Sequence, residues 1–257
     1  MSLLRDSARA INERFNLVGF YSLAALLLRI TLSSAGDDPL WAALFGMALV
    51  IDLGTACGIM GLVVQAAAGR GEPVPFSRYA AGLFLPLVWL WLRVLVIVSL
   101  LVALVVAVYQ VSHGGSLPPE EALTQVVYWG TPCFDFLQRI LWLYSVPLCI
   151  VARIMGEHRA TLRGGWAILR ARPADSARLI MLLLLISALE GALHYARGPK
   201  GQDVPPDVPE GLILLVTSYL DLVVLFGATR VVLSRIDSGF GDGVRPAAAA
   251  RAPGPPA

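Results

Sequence analysis

Lysine is almost missing from this chain: Lys200 is the only one, and charged residues of all kinds make up 15% of 257 residues. A soluble domain would carry about 25%, so a large hydrated surface is excluded. The net charge of +2 leaves no basic face for nucleic acid, and no nucleic-acid partner is expected. Three cysteines, Cys57, Cys133 and Cys149, are too few and too widely spaced for a disulfide framework or a zinc cluster. They fall in or beside apolar runs and read as small helix-packing residues. The three histidines, His113, His158 and His194, share no helical face with ligand spacing. There is no H-E-x-x-H, no G-x-S-x-G and no glycine-rich phosphate loop with Lys-Ser/Thr. No cofactor, metal or catalytic residue is therefore expected, and the chain reads as a non-enzyme.

What is present is apolar sequence, 57% of the chain with a mean hydropathy of +0.71, gathered into discrete blocks. About 20 residues of helix cross the hydrocarbon core. Six blocks meet that length: residues 17–35, 40–67, 82–111, 133–155, 177–196 and 211–236. The fold class is an all-α membrane protein. Residues 1–16 form an N-terminal amphipathic interfacial helix, 17–236 a six-helix transmembrane domain, and 237–257 a Gly/Pro/Ala-rich tail. The tail has too little apolar surface to fold and is expected to be disordered. No small-residue cleavage site follows the first apolar run, so the first span is expected to be retained.

Local signals mark several boundaries. Asp38 before Pro39 and Thr131 before Pro132 each read as an N-cap followed by a first-turn proline. Pro118, Pro119, Glu120 and Glu121 open what reads as a short external helix, with Leu123, Val126 and Val127 resting on the membrane surface. Arg29 is expected to snorkel from the far end of the first span.

Arginine sets the orientation. Arg5, Arg9 and Arg14 precede the first span. Arg70 and Arg78 lie between the second and third, and Arg159, Arg163, Arg170, Arg172 and Arg178 between the fourth and fifth. Arg235, Arg245 and Arg251 follow the sixth. The first and third connections have no basic residue. The positive-inside rule places both termini and the arginine-rich loops in the cytoplasm, which requires an even number of spans. Three times, at 3–15, 75–79 and 161–172, a short amphipathic cytoplasmic stretch leads into a hairpin of spans. That is the pattern of a threefold hairpin duplication, and equally of any in–out bundle.

Two groups of residues carry the functional reading. The first is a pair of amphipathic stretches. Leu4, Ala8, Ile11 and Phe15 share one face near the N-terminus, and Leu162, Trp166 and Leu169 share another, flanked by Arg159, Arg163 and Arg170. Apolar face down with arginines reaching phosphates, such helices anchor a protein to lipid or present it to a partner. Arg159, Arg163, Trp166 and Arg170 are the candidate contact residues.

The second group is ionisable residues inside apolar spans: Asp52, Arg93, Asp135, Arg139, Glu190, His194, Asp221 and Arg230. A charge at mid-membrane costs roughly 2.5–3.5 kcal/mol on insertion scales and needs a partner, a wet cavity or a task. Ser187, Glu190, Gly191 and His194 share one face of span five; Thr217, Ser218 and Asp221 share one face of span six. Asp135 and Arg139, one turn apart, are placed to pair. Gly54, Gly58 and Gly61 lie roughly opposite Asp52, where glycine lets a neighbouring backbone approach, so span two is expected at the centre of the bundle. Two readings stay open. Either Asp52, Glu190, His194 and Asp221 line a polar cavity of a small transporter, or Arg93, Arg139 and Arg230 neutralise the acids and fix packing.

The runs 58–62 (GIMGL) and 69–79 (GRGEPVPFSRY), with 146–149 (VPLC) and 162–172 (LRGGWAILRAR), carry a family likeness. The chain resembles the six-helix bacterial membrane domain that precedes some glycerophosphodiester phosphodiesterases and also occurs alone in small inner-membrane proteins. There a glycine-ended helix leads to a G-x-x-x-x-F-S loop, and a later helix to an amphipathic segment with Ser before Trp. Here Gly164 and Gly165 precede Trp166, and no phosphodiesterase domain lies within these residues. The resemblance implies an architecture and a multi-pass place in the bacterial inner membrane, and carries over no catalytic residue. The expected partners are membrane lipids, with a membrane-protein partner or a second copy as the further candidates.

Overall fold

The computed structural model describes residues 2–33, 39–69, 74–113, 118–154, 162–198 and 206–237. Among these the chain forms eight helices and no strand. They are α1 (Ser2–Asn12), α2 (Phe15–Ser33), α3 (Pro39–Ala68), α4 (Phe76–Ser112), α5 (Pro119–Ile154), α6 (Leu162–Ala171), α7 (Pro173–Arg197) and α8 (Val208–Asp237). All but α1 and α6 are long and apolar enough to cross a membrane, the architecture of a multi-pass membrane protein. The outer surface agrees: Phe20, Leu85, Leu100, Val108 and Met181 each stand more than 60% exposed. A contiguous apolar shell of this kind marks a surface that is covered, and around such helices lipid does so.

Three helices carry most of the packing: α3, the one expected at the centre, touches α2, α4, α5 and α8; α5 touches α3, α4, α6, α7 and α8; and α8 touches α1, α2, α3, α5 and α7. Small residues let α8 do so. Thr217, Ser218, Ala228 and Thr229 are buried on α8, and a Cβ at Gly227 would press on Leu179 of α7 at 3.0 Å and on Ser7 of α1 at 3.3 Å. Gly58 and Gly61 of α3 do admit a neighbour, but it is aromatic rings from the first turn of α4. Phe76 fills the notch at Gly58 and Tyr79 the one at Gly61, three residues apart on both helices. Gly54 faces open space.

Two local readings are overturned. Thr131–Pro132 does not start a helix: α5 runs unbroken for 36 residues, so the expected external helix is its first turns. Ala122 and Val126 are buried there, Leu123 and Val127 are exposed, and Gln125 accepts a hydrogen bond from the Tyr109 hydroxyl of α4 at 3.0 Å. Proline at 132 removes the donor that would serve the Tyr128 carbonyl. His194 Nε2 of α7 donates to that carbonyl instead, at 3.1 Å, and the Tyr195 hydroxyl donates to the next one, Trp129, at 2.7 Å. The His194 side chain thus satisfies the carbonyl that proline frees, which is how a membrane helix tolerates it.

The expected apolar face of α1 is turned to the bundle through Leu4, Ala8 and Ile11, with Phe15 the exception. Ser7 and Ile11 are buried against the bundle, Leu4 and Ala8 are half-buried, and Phe15 begins α2 and is exposed. Ser7 can be buried because its hydroxyl donates to Leu3 O within its own helix at 2.7 Å. The expectations for Asp38, Arg70, His158, Arg159, Lys200 and the tail beyond Asp237 lie outside the described residues.

Candidate polar core and adjoining cavity

Arg139 lies near the middle of α5 and gives each guanidinium nitrogen to a different carboxylate. Nε donates to Asp135 Oδ2, one turn earlier on the same helix, at 2.8 Å. Nη2 donates to Glu190 Oε2 of α7 at 2.7 Å, and Nη1 to Asp221 Oδ1 of α8 at 2.5 Å. Ser187, one turn before Glu190, donates to Asp135 Oδ2 at 3.1 Å. One planar fork thus ties three helices, a geometry that arginine offers and lysine does not. The cluster is not sealed. Side-chain exposure is 16% for Arg139 and between 28% and 33% for the three carboxylates. Asp135, Arg139 and Asp221 stand on the wall of a cavity of about 180 Å³, with Tyr21, Gln138 and Trp142.

A second cavity, of about 300 Å³, adjoins the first and shares Tyr21, Met60, Trp142 and Val146 as wall. It lies among α2, α3, α4 and α5, and Asp52 is the carboxylate on its lining. The rest of that lining is apolar or aromatic. Asp52 Oδ1 and Trp142 Nε1 are both buried without a hydrogen-bond partner among the described residues. Buried polar atoms in that state are uncommon and call for an account.

The remaining sequence-derived candidates fall elsewhere. His194 packs on the Tyr128 ring at 5.0 Å between centroids and caps the proline gap; it does not reach the Arg139 cluster. Arg93 is exposed on α4 with its guanidinium 5.1 Å from the centre of the Trp89 ring. Arg230 is exposed near the end of α8, 6.0 Å from the Phe226 ring centre. Among the described residues neither neutralises a buried acid. Of the three arginines expected to do so, Arg139 alone does. On α6, Gly165 and Ile168 are buried and a Cβ at Gly165 would meet the Ser145 backbone N of α5 at 2.9 Å. Arg163, Trp166 and Arg170 are left exposed, with Arg170 5.3 Å from the Trp166 ring centre.

A second ion-pair group was not anticipated. Glu210, in the first turn of α8, is fully buried and lies against two arginines. Arg29 Nε of α2 is 2.6 Å from Oε1, and Arg197 Nη2, at the end of α7, contacts Oε2. Among the described residues neither oxygen makes an aligned hydrogen bond, so charge holds these pairs more than direction does. Glu190 and Arg197 are seven residues apart on α7, so at 1.5 Å per residue the two groups are stacked about 10 Å apart along the bundle. The available signal was the level of the residues: Arg29 ends one span and Glu210 begins another on the same side. Tyr21 and Trp142, which wall both cavities, had no signal beyond their apolar surroundings.

No family model, curated protein or solved structure matches the chain.

Proposed function

We propose that this chain is a non-enzymatic multi-pass membrane carrier, in which the carboxylates around Arg139 hold a proton near mid-membrane. The observation behind this reading is an imbalance. Asp135, Glu190 and Asp221 share one guanidinium, which leaves two formal negative charges in excess beside a cavity. A purely structural ion pair needs one acid per base, and buried excess charge is expensive. A bound proton supplies missing positive charge, and its departure changes which partners Arg139 keeps. Pro132 and Pro147 stand about two turns on either side of Arg139 within the continuous α5, each removing one backbone donor. Arginine placement supports a cytoplasmic-membrane orientation with both termini inside.

The test is proton flux in proteoliposomes under an imposed gradient. The native protein is expected to conduct, and Asp221→Asn and Asp52→Asn to fall to background while remaining monodisperse. Asn at 221 still offers Arg139 a hydrogen-bond acceptor, so folding should survive. No flux in the native protein, or collapse of both variants on purification, would remove the support for this reading.

A second reading rests on a separate observation, the exposed Arg163, Trp166 and Arg170 on the free side of α6. It assigns that face to anionic lipid headgroups, each arginine contributing about 1 kcal/mol near a charged leaflet. The double variant Arg163→Ala with Arg170→Ala should then lose about thirtyfold in retention of phosphatidylglycerol over phosphatidylcholine. Native mass spectrometry counts the bound lipids and would also reveal a partner chain or second copy. Unchanged retention sinks the lipid assignment.

A further inference from the structure

We infer that the cavity of about 300 Å³ between α2, α3, α4 and α5 is a binding site for lipophilic ammonium compounds, with Asp52 as the counter-ion. This deepens the carrier reading and rests on it for its role in transport, while the binding itself can be measured alone. Three features of the wall select the ligand. The lining is apolar along most of its surface, with Leu28, Leu49, Leu87 and Met60, so the occupant must be largely hydrocarbon. Asp52 is the one carboxylate on that apolar wall, and a carboxylate so placed rejects anions and rewards a positive charge. Tyr21, Trp91 and Trp142 line the same space, and a cation over an aromatic face gains further attraction.

Alternative occupants fit less well. An inorganic cation needs several oxygen ligands, and Asp52 is the one carboxylate there. Among the described residues no group of three His, Cys, Asp or Glu is placed to hold a metal. A neutral hydrocarbon leaves the buried carboxylate unmatched. An ammonium headgroup on an apolar body matches both halves of the wall, and its N–H groups donate to Asp52 in a charge-assisted bond.

The experiment uses the full chain in nanodiscs of zwitterionic lipid, with empty discs as the partition control. The probes are 2-phenylethylammonium and its neutral analogue 2-phenylethanol, measured by equilibrium dialysis. Saturable binding of the ammonium compound is expected, with the alcohol weaker by about tenfold, the usual scale of a lost charge-assisted contact. Asp52→Asn should erase that preference. Ala56→Phe, which fills the cavity and keeps Asp52, should abolish binding of both probes. Equal binding of amine and alcohol, an Asp52→Asn protein that keeps the preference, or an Ala56→Phe protein that still binds would each overturn the assignment. No binding to the native protein would do so as well. Proton flux without amine binding would leave the carrier reading standing and remove this one; amine binding without flux would do the reverse.

Discussion

Arg139→Leu is expected to be the most damaging single substitution in the bundle. It leaves three carboxylates from α5, α7 and α8 facing one another with no positive charge among them. Breaking a buried ion pair by removing one partner costs about 3–5 kcal/mol, and here one deletion strands three acids. Arg139→Lys should recover a minority of that loss, because one ammonium cannot serve three acceptors held at 2.8, 2.7 and 2.5 Å around a planar fork. The converse change should be mild. Glu190→Gln removes one unit of an existing excess and still leaves Asp135 and Asp221 for Arg139, so a loss below about 1 kcal/mol, or a small gain, is expected. Reversible unfolding in mixed micelles of the native and three variant proteins measures this order. A mild Arg139→Leu beside a severe Glu190→Gln would show that the charge excess is not the governing feature.

The sequence made some of this legible and hid the rest for identifiable reasons. The spans are legible because lipid requires long apolar helices. The polar face of α7 is legible from spacing alone, since Ser187, Glu190 and His194 recur every third or fourth residue. In the fold Ser187 and Glu190 reach the Arg139 cluster and His194 reaches Tyr128, all across the interface with α5. What spacing cannot tell is which arginine answers which acid. Arg93, Arg139 and Arg230 look equivalent in an apolar run, and only packing turns Arg139 inward while Arg93 and Arg230 lie over aromatic rings. Pro132 misled because its local preference is for a helix start. A side chain more than sixty positions away compensates the carbonyl it frees, and that compensation is invisible locally. Glu210 was hidden by its position just before an apolar run, where an acid commonly serves a helix N-terminus in water. It does lie at such a terminus, and its backbone N–H donates to Asp207 Oδ1 at 3.0 Å. Tertiary structure buries the side chain between two arginines contributed by other helices.

That burial sets up the second large effect. Glu210→Ala is expected to loosen the end of the bundle where α2, α7 and α8 meet, while the Arg139 end stays closed. The loss should be smaller than for Arg139→Leu, because Arg29 is 45% exposed and can swing to the interface once its partner is gone. Arg197 is only 16% exposed, but it also faces Asp207 at 3.9 Å, so about 2–3 kcal/mol is the expected cost. Glu210→Gln should lie between Ala and the native protein, since it fills the same space without the charge. Location is the discriminating readout. Hydrogen exchange should quicken in residues 192–198 and 208–214 and remain slow in 135–146, because the two ion-pair groups are separated by about two turns of α7. Uniform quickening along α5, α7 and α8 would mean that the two groups form a single cooperative unit. In that case a change at the outer arginines would be felt directly at the carboxylates around Arg139, and the bundle would open and close as one body.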